Sequence, residues 1–95
     1  MREYRVVWRY TVQPEYEAEF LATYASDGAW AELFRLGEGY LGTELRALPD
    51  GSYRTTDRWR SEADYKHFRA RYAPAYELLD AACEVMTLDE RQEST

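Results

Sequence analysis

Two stretches of the chain alternate apolar and polar residues with the period of a β-strand. In the first, residues 4 to 12, one face carries Tyr4, Val6, Trp8, Tyr10 and Val12, and the other carries Arg5, Val7, Arg9 and Thr11. In the second, residues 53 to 60, one face carries Tyr53, Thr55, Asp57 and Trp59, and the other carries Arg54, Thr56, Arg58 and Arg60. We therefore predict two strands, each with an aromatic face and a charged face.

The second strand leads directly into a helix. Ser61 is followed three residues later by Asp64, a pattern close to a capping box, so the helix is expected to begin at Ser61. Tyr65, Phe68 and Tyr72 then recur at helical spacing. The helix is predicted to reach about Ala73, before Pro74 breaks it.

Another aromatic stripe predicts a helix after the first strand. Tyr16, Phe20 and Tyr24 are spaced i, i+4, i+8, and Pro14 fits a first helical position. This helix should end near residues 26–28. Asp27 is expected to cap a second short helix, residues 29–36.

The remaining segments complete the predicted architecture. Residues 40–48 read as a strand joined to the next by a Pro49-Asp50-Gly51 hairpin turn. Residues 75–82 read as one or two helical turns, and residues 83–90 alternate again as a fourth strand, with a polar tail that frays from about residue 90. The resulting order is strand, helix, strand, strand, helix, strand. It predicts an α+β, ferredoxin-like βαββαβ domain over residues 1–95, with both helices on one face of a four-stranded antiparallel sheet.

The charged face of this sheet has two interpretations. It carries Arg5, Arg9, Arg54, Arg58 and Arg60, with either Glu44 and Arg46 or Leu41 and Leu45, depending on register. Either water covers it, or a second copy of the chain contacts it through Arg–Glu pairs. We expect a homodimer through this sheet face, which light scattering at micromolar concentration tests.

Composition narrows the classes of partner. Aromatic residues make up 16% of the 95 residues and the formal net charge is −6. An acidic chain with no basic tract argues against nucleic acid or an anionic membrane surface as partner. The single Cys83 excludes an internal disulfide, and we expect it to be a small buried hydrophobe. No signal peptide or membrane span is recognised, so a cytoplasmic location is expected.

Several segments resemble the antibiotic biosynthesis monooxygenase superfamily of small dimeric α+β barrel proteins. They are VVWRYTV near the start, then GAWAELFR, GYLGTEL and DRWRS, and a C-terminal CEVMTLDE, so the likeness covers nearly the whole chain. The resemblance implies a dimer whose sheets face each other and a cavity in each subunit between sheet and helices. These segments characterise the fold rather than a catalytic motif.

Members of this superfamily differ in activity. Some oxidise aromatic polyketides or quinols with O2 and no cofactor, some cleave haem, and many have no established activity. The haem branch and part of the polyketide branch use an Asn on the first strand and a Trp on the third. Trp59 matches the Trp, whereas this sequence contains no Asn. His67, the only histidine, lies about 200° around the helix from Tyr65 and should point into solvent.

We expect three residues to carry any catalysis. Trp59 either fills the core or forms a pocket wall for an aromatic ligand. Asp57, on the same face, either acts as a general base when buried or pairs with an Arg. Arg69, about 40° from Tyr65, either forms an ion pair or holds an anionic substrate at the pocket rim. The aromatic residues expected to bind substrate, each of which also suits a core, are Trp8, Tyr24, Trp30, Phe34, Tyr65, Phe68 and Tyr72.

Two functions follow from these residues. The first is a cofactor-independent monooxygenase that oxidises a small aromatic, a phenol, quinol or polyketide, with O2 in a pocket between sheet and helices. The second is a non-catalytic dimer that binds a small aromatic ligand or serves as an auxiliary protein of a biosynthetic pathway. No cofactor and no metal site are expected, because the sequence lacks a phosphate loop and paired His ligands.

Overall fold

A computed structural model describes residues 3–93 of the chain. The strands are β1 (Tyr4–Val12), β2 (Tyr40–Ala47), β3 (Tyr53–Trp59) and β4 (Thr87–Glu93). The helices are α1 (Glu17–Tyr24), α2 (Ala29–Phe34), α3 (Glu62–Arg71) and α4 (Ala73–Cys83), with short 3-10 turns at Pro14–Tyr16 and Glu84–Met86. The strands form one antiparallel sheet in the order β2-β3-β1-β4, which confirms the predicted ferredoxin-like α+β fold.

The two faces of the sheet carry different kinds of side chain, as the alternation along the strands predicted. β1 and β3 pair with Tyr4 opposite Trp59 and Val6 opposite Asp57, so their aromatic faces lie on the same side. We call this side, which packs against the helices, the inner face. The outer face carries the arginines of both strands, together with Glu44 and Arg46 of β2.

A β-bulge in β2 changes which of its side chains face inward. Tyr40 lies opposite Trp59, but Gly42 lies opposite Arg58 and Thr43 opposite Asp57, so the register shifts between Tyr40 and Gly42. Gly42 has φ +145°, a conformation that favours glycine. Without the bulge, residues three apart would point to opposite faces. With it, both Tyr40 and Thr43 lie on the inner face.

The helix that follows β3 begins as the sequence indicated. The backbone N–H of Asp64 donates to Oγ of Ser61 over 3.1 Å, so Ser61 is the N-cap of α3. The other predicted cap was wrong: Gly28, not Asp27, is the N-cap residue of α2, and no side chain caps that helix. Pro74 lies in the first turn of α4, where its missing N–H costs nothing.

The largest error in the predicted elements concerns the C-terminal quarter. α4 spans 11 residues and ends at Cys83, and β4 begins only at Thr87, so the strand predicted over 83–90 was placed too early. The alternation of Cys83 to Met86 resembles a strand, but Tyr76, Leu79 and Cys83 also follow helical spacing and pack on the core. The predicted fraying from residue 90 is wrong as far as Glu93, which β4 includes; Ser94 and Thr95 lie outside the described residues.

The core lies between the inner face and the helices and is mainly aromatic. Its buried hydrophobic residues are Val6, Tyr10, Phe20, Tyr24, Trp30, Ala31, Phe34, Trp59, Phe68 and Cys83. The rings meet mostly at tilted or edge-to-face angles with centroids 4.3–6.1 Å apart. Over residues 3–93, no helix has the length and apolar character needed to span a bilayer.

Candidate active site

The interior is solid at one end and hollow at the other. At the solid end, the indole of Trp59 is fully buried, with ring centroids of Phe68, Tyr40 and Tyr65 at 5.1, 5.3 and 5.6 Å. At the hollow end is a cavity of about 340 Å³, in the size range that holds small organic ligands. The residues that line it are Trp8, Tyr10, Tyr24, Trp30, Phe34, Thr43, Thr55, Asp57, Arg69, Tyr76, Asp80, Glu90 and Gln92.

The cavity brings together most of the residues that the sequence singled out. Of the three expected catalytic residues, Asp57 and Arg69 line it, and Trp59 does not. Of the expected binding residues, those that line it are Trp8, Tyr24, Trp30 and Phe34, and those that do not are Tyr65, Phe68 and Tyr72. The reason is the packing of α3: its stripe of aromatic rings covers Trp59 and fills that end of the interior.

Among residues 3–93, Asp57 is the only buried residue with a carboxyl side chain. It is 7% exposed, and within residues 3–93 it forms no ion pair, which argues against the expected pairing with an Arg. Oγ1 of Thr43 donates a hydrogen bond to Asp57 Oδ1 over 2.8 Å. Burial away from water raises the pKa of Asp57 to about 7, and the hydrogen bond from Thr43 lowers it only in part. The carboxyl group therefore titrates near neutrality, as a general base requires.

Arg69 approaches the cavity from α3 and is held by aromatic groups. Its Nη1 donates to the hydroxyl of Tyr65 over 2.9 Å, and its guanidinium carbon lies 3.9 Å from the centre of the Tyr76 ring. Among the described residues it forms no ion pair, so the positive charge is available at the rim of the cavity. Burial raises the pKa of Tyr76 to about 12, so its phenol stays protonated at neutral pH.

The indole of Trp30 borders the cavity, but its N–H is buried within the core. Trp30 is 7% exposed and lines the cavity, and its Nε1–H has no partner among the described residues. A buried donor without a partner costs free energy unless a ligand or water accepts its hydrogen bond. Its nitrogen has almost no accessible surface, as is also true of the Trp59 nitrogen, so the unpaired N–H is a cost of packing and not a contact point for a ligand.

Sequence reasoning missed several lining residues. Tyr10 and Thr55 were assigned to the inner face without a role at the site, and Thr55 donates to the hydroxyl of Tyr10 over 3.3 Å. Thr43 reaches the cavity only because of the bulge, for which Gly42 is the only local sign. Asp80 and Glu90 could not be assigned to the cavity from the sequence, because that assignment depends on where α4 ends and β4 begins. His67 is exposed, as its position on the helix predicted.

No group of three or more His, Cys, Asp or Glu side chains within residues 3–93 is arranged to hold a metal ion. The site instead combines one buried carboxyl group, aromatic walls and a guanidinium at the rim. Such a site can bind a flat ligand with acidic and oxygen-bearing groups.

Residues 3–76 match the family model for antibiotic biosynthesis monooxygenases. The match covers well over half of the chain, so the protein belongs to this family, as the sequence resemblance implied. A comparison with curated proteins finds no significant match.

Several solved structures share the fold at low sequence identity. SnoaB from Streptomyces nogalater, a cofactor-independent oxygenase, is 20% identical with a TM-score of 0.68 over 100% of this chain and 94% of its own. Rv0793 from Mycobacterium tuberculosis is 17% identical with a TM-score of 0.71, over 99% and 95% of the two chains. The ActVA-Orf6 monooxygenase of Streptomyces coelicolor, solved with nanaomycin D, is 20% identical with a TM-score of 0.65, over 96% and 85%.

Proposed function

We propose that the protein is a cofactor-independent monooxygenase that oxidises a phenol, quinol or related polycyclic aromatic with O2. The observation that carries this proposal is Asp57, a buried carboxyl group with a pKa of about 7 in the wall of an aromatic cavity. Membership of the antibiotic biosynthesis monooxygenase family supports it. So do the fold-level likenesses to SnoaB and the ActVA-Orf6 protein.

In the proposed reaction, Asp57 takes a proton from the substrate. The resulting phenolate or enolate reduces O2 by donating its own electrons, and a carbon–oxygen bond forms. One oxygen atom stays on that carbon, the second leaves as water with two substrate hydrogens, and a carbonyl group results. The chain contributes the base, a site shielded from water, and a donor at the developing oxyanion, for which we assign Arg69.

Oxygen uptake with an anthrone or a dihydroxynaphthalene tests this proposal. The wild-type protein is expected to exceed the uncatalysed rate, and Asp57→Asn to lose about 10²- to 10⁴-fold, the usual contribution of a general base. Asp27→Asn, which changes an exposed Asp outside the cavity, is the matched control and should retain full activity. Uptake no faster than without protein, across a panel of such substrates, would contradict the proposal.

The pH dependence of the same reaction gives a second prediction. Because the base must be deprotonated and the pKa of Asp57 is about 7, kcat/KM should rise about tenfold per pH unit below pH 7 and level off above it. Stopped-flow or oxygen-electrode rates across this range measure it, after subtraction of the uncatalysed rate at each pH. A flat profile in the same range would exclude Asp57 as the base.

The aromatic walls of the cavity also suit the second function, a non-catalytic aromatic-binding or auxiliary protein. Trp30 and Trp8 both line the cavity, so a bound aromatic should quench Trp fluorescence whether or not it reacts. Quenching that saturates without oxygen uptake would favour this second function over the first.

We also propose that two copies of the chain pair through the outer face. The arginines there already contact acidic groups of the same chain, as in Arg54 to Glu93 at 3.0 Å and Arg58 to Glu3 at 2.8 Å, yet the side chains stay partly exposed. Light scattering is expected to give twice the chain mass of 11.2 kDa at micromolar concentration. Arg58→Glu should shift the mass toward one copy, whereas Arg71→Glu, on α3, should not. A single-copy mass for the wild type would exclude the pairing.

A further inference from the structure

We propose that Thr43 and Tyr40 are positioning residues that hold Asp57 so that one chosen carboxyl oxygen, Oδ2, faces the substrate. This inference rests on the proposed function, in which Asp57 is the base. It depends on a chain of two hydrogen bonds that crosses the inner face from β2 to β3.

The direction of the two hydrogen bonds follows from the number of protons available. Oγ1 of Thr43 lies 2.8 Å from Asp57 Oδ1 and 2.5 Å from the hydroxyl of Tyr40. A carboxylate only accepts hydrogen bonds, and Thr43 has one hydroxyl proton, so that proton goes to Asp57. Oγ1 then accepts from Tyr40, and the phenol proton fixes the orientation of the Thr43 hydroxyl.

Asp57 is left with one oxygen in use and one available. Among the described residues, no other side chain or backbone group donates to the carboxyl group, so Oδ2 accepts nothing from residues 3–93. Because Oδ1 is held by Thr43, the carboxyl group cannot rotate freely about its last bond. The proton taken from the substrate is therefore received at Oδ2, and Oδ1 keeps its hydrogen bond before and after the transfer.

The backbone is shaped for this contact. Tyr40 and Thr43 are three residues apart and both reach the inner face only because of the bulge at Gly42, whose φ is +145°. Bulges that re-aim a side chain are often found beside active sites. A regular strand would place Thr43 on the outer face whenever Tyr40 packed against Trp59.

Other titratable groups also surround the carboxyl group and must be considered in any titration. The groups that line the same cavity or take part in the two hydrogen bonds are Tyr10 on β1, Tyr40 on β2, Tyr24 on α1, Arg69 on α3, Tyr76 and Asp80 on α4, and Glu90 on β4. Burial raises the pKa of Tyr10 and of Tyr40, so these phenols stay neutral in the range where Asp57 titrates.

The test is a carboxyl ¹³C NMR titration of the ligand-free protein, with Asp57→Asn used to assign the resonance. Thr43→Val keeps the volume but removes the donor, and should raise the pKa of Asp57 by about one pH unit. Thr43→Ser, which keeps the hydroxyl, should restore the wild-type value. Tyr40→Phe should produce a smaller rise in the same direction, because it frees the Thr43 hydroxyl to turn away.

The outcomes separate this inference from the proposed function. An unchanged titration of Asp57 in Thr43→Val would overturn the positioning role, whether or not the protein consumes O2. A shifted titration in a protein without oxygenase activity would support the positioning of Asp57 and contradict the reaction. In an active protein, the pH profile of kcat/KM should move with the NMR titration, and Thr43→Ser should rescue both.

Discussion

Replacing Trp59 with Ala is expected to lower the free energy of unfolding by about 3–5 kcal/mol, the usual cost of removing a large aromatic side chain from a core. The indole is 0% exposed and contacts rings from α2, α3 and β2. Its Nε1–H has no partner among the described residues, so its contribution comes from packing. Urea unfolding followed by circular dichroism measures the change. For a domain of this size the loss approaches the total stability.

Two matched variants sharpen this prediction. Trp59→Phe keeps an aromatic ring and removes an unsatisfied N–H, so it should cost much less than Trp59→Ala. Trp8→Ala removes an indole from the same sheet face, but Trp8 is only partly buried and borders the cavity, so the loss should also be smaller. If Trp59→Ala instead left stability unchanged and abolished oxygen uptake, Trp59 would be a site residue, as its position on the third strand suggested.

The fold could be predicted from the sequence because its strands and helices have clear periodicity. β1, its inner face, and the start of α3 at Ser61 depend on local patterns that tertiary packing does not alter. The end of α4 could not be predicted in this way. Residues 83–86 fit the spacing of a helix as well as that of a strand, so only their tertiary contacts distinguish the two. The backbone N–H of Gln13 donates to the carbonyl oxygen of Met86, and the side-chain amide of Gln13 donates to the carbonyl oxygen of Val85.

The site was harder to predict than the fold because it depends on where the interior is empty. The sequence pattern places both Trp59 and Trp30 in the interior, and both are buried, yet only Trp30 borders the cavity. The difference arises because Tyr65 and Phe68 of α3 pack on Trp59, and no local pattern encodes that tertiary contact. Asp57 could be found as a polar residue on an aromatic face. Thr43 could not, because strand alternation without the bulge assigns it to the opposite side.

Asp57→Asn is expected to stabilise the protein at about pH 8 relative to the wild type, and to have little such effect at about pH 4. The pKa of Asp57 is about 7 in the folded chain and 3.8 is its ordinary value. Between these values the folded state binds a proton that the unfolded state has released. The wild-type free energy of unfolding therefore falls as pH rises through this window, by up to about 4 kcal/mol in total, and is flat above it.

Asn is neutral at every pH and keeps the acceptor for Thr43, so Asp57→Asn removes the pH dependence of the unfolding free energy that Asp57 causes. The measured quantity is the difference in unfolding free energy between variant and wild type at the two pH values, because any pH-independent cost of the amide cancels in that comparison. Asp27→Asn should show no such difference, since Asp27 is exposed. A pH-independent effect of Asp57→Asn would mean that water reaches the carboxylate in the folded protein. The same result would remove the basis for its role as a base, because a hydrated Asp is a weak base at neutral pH.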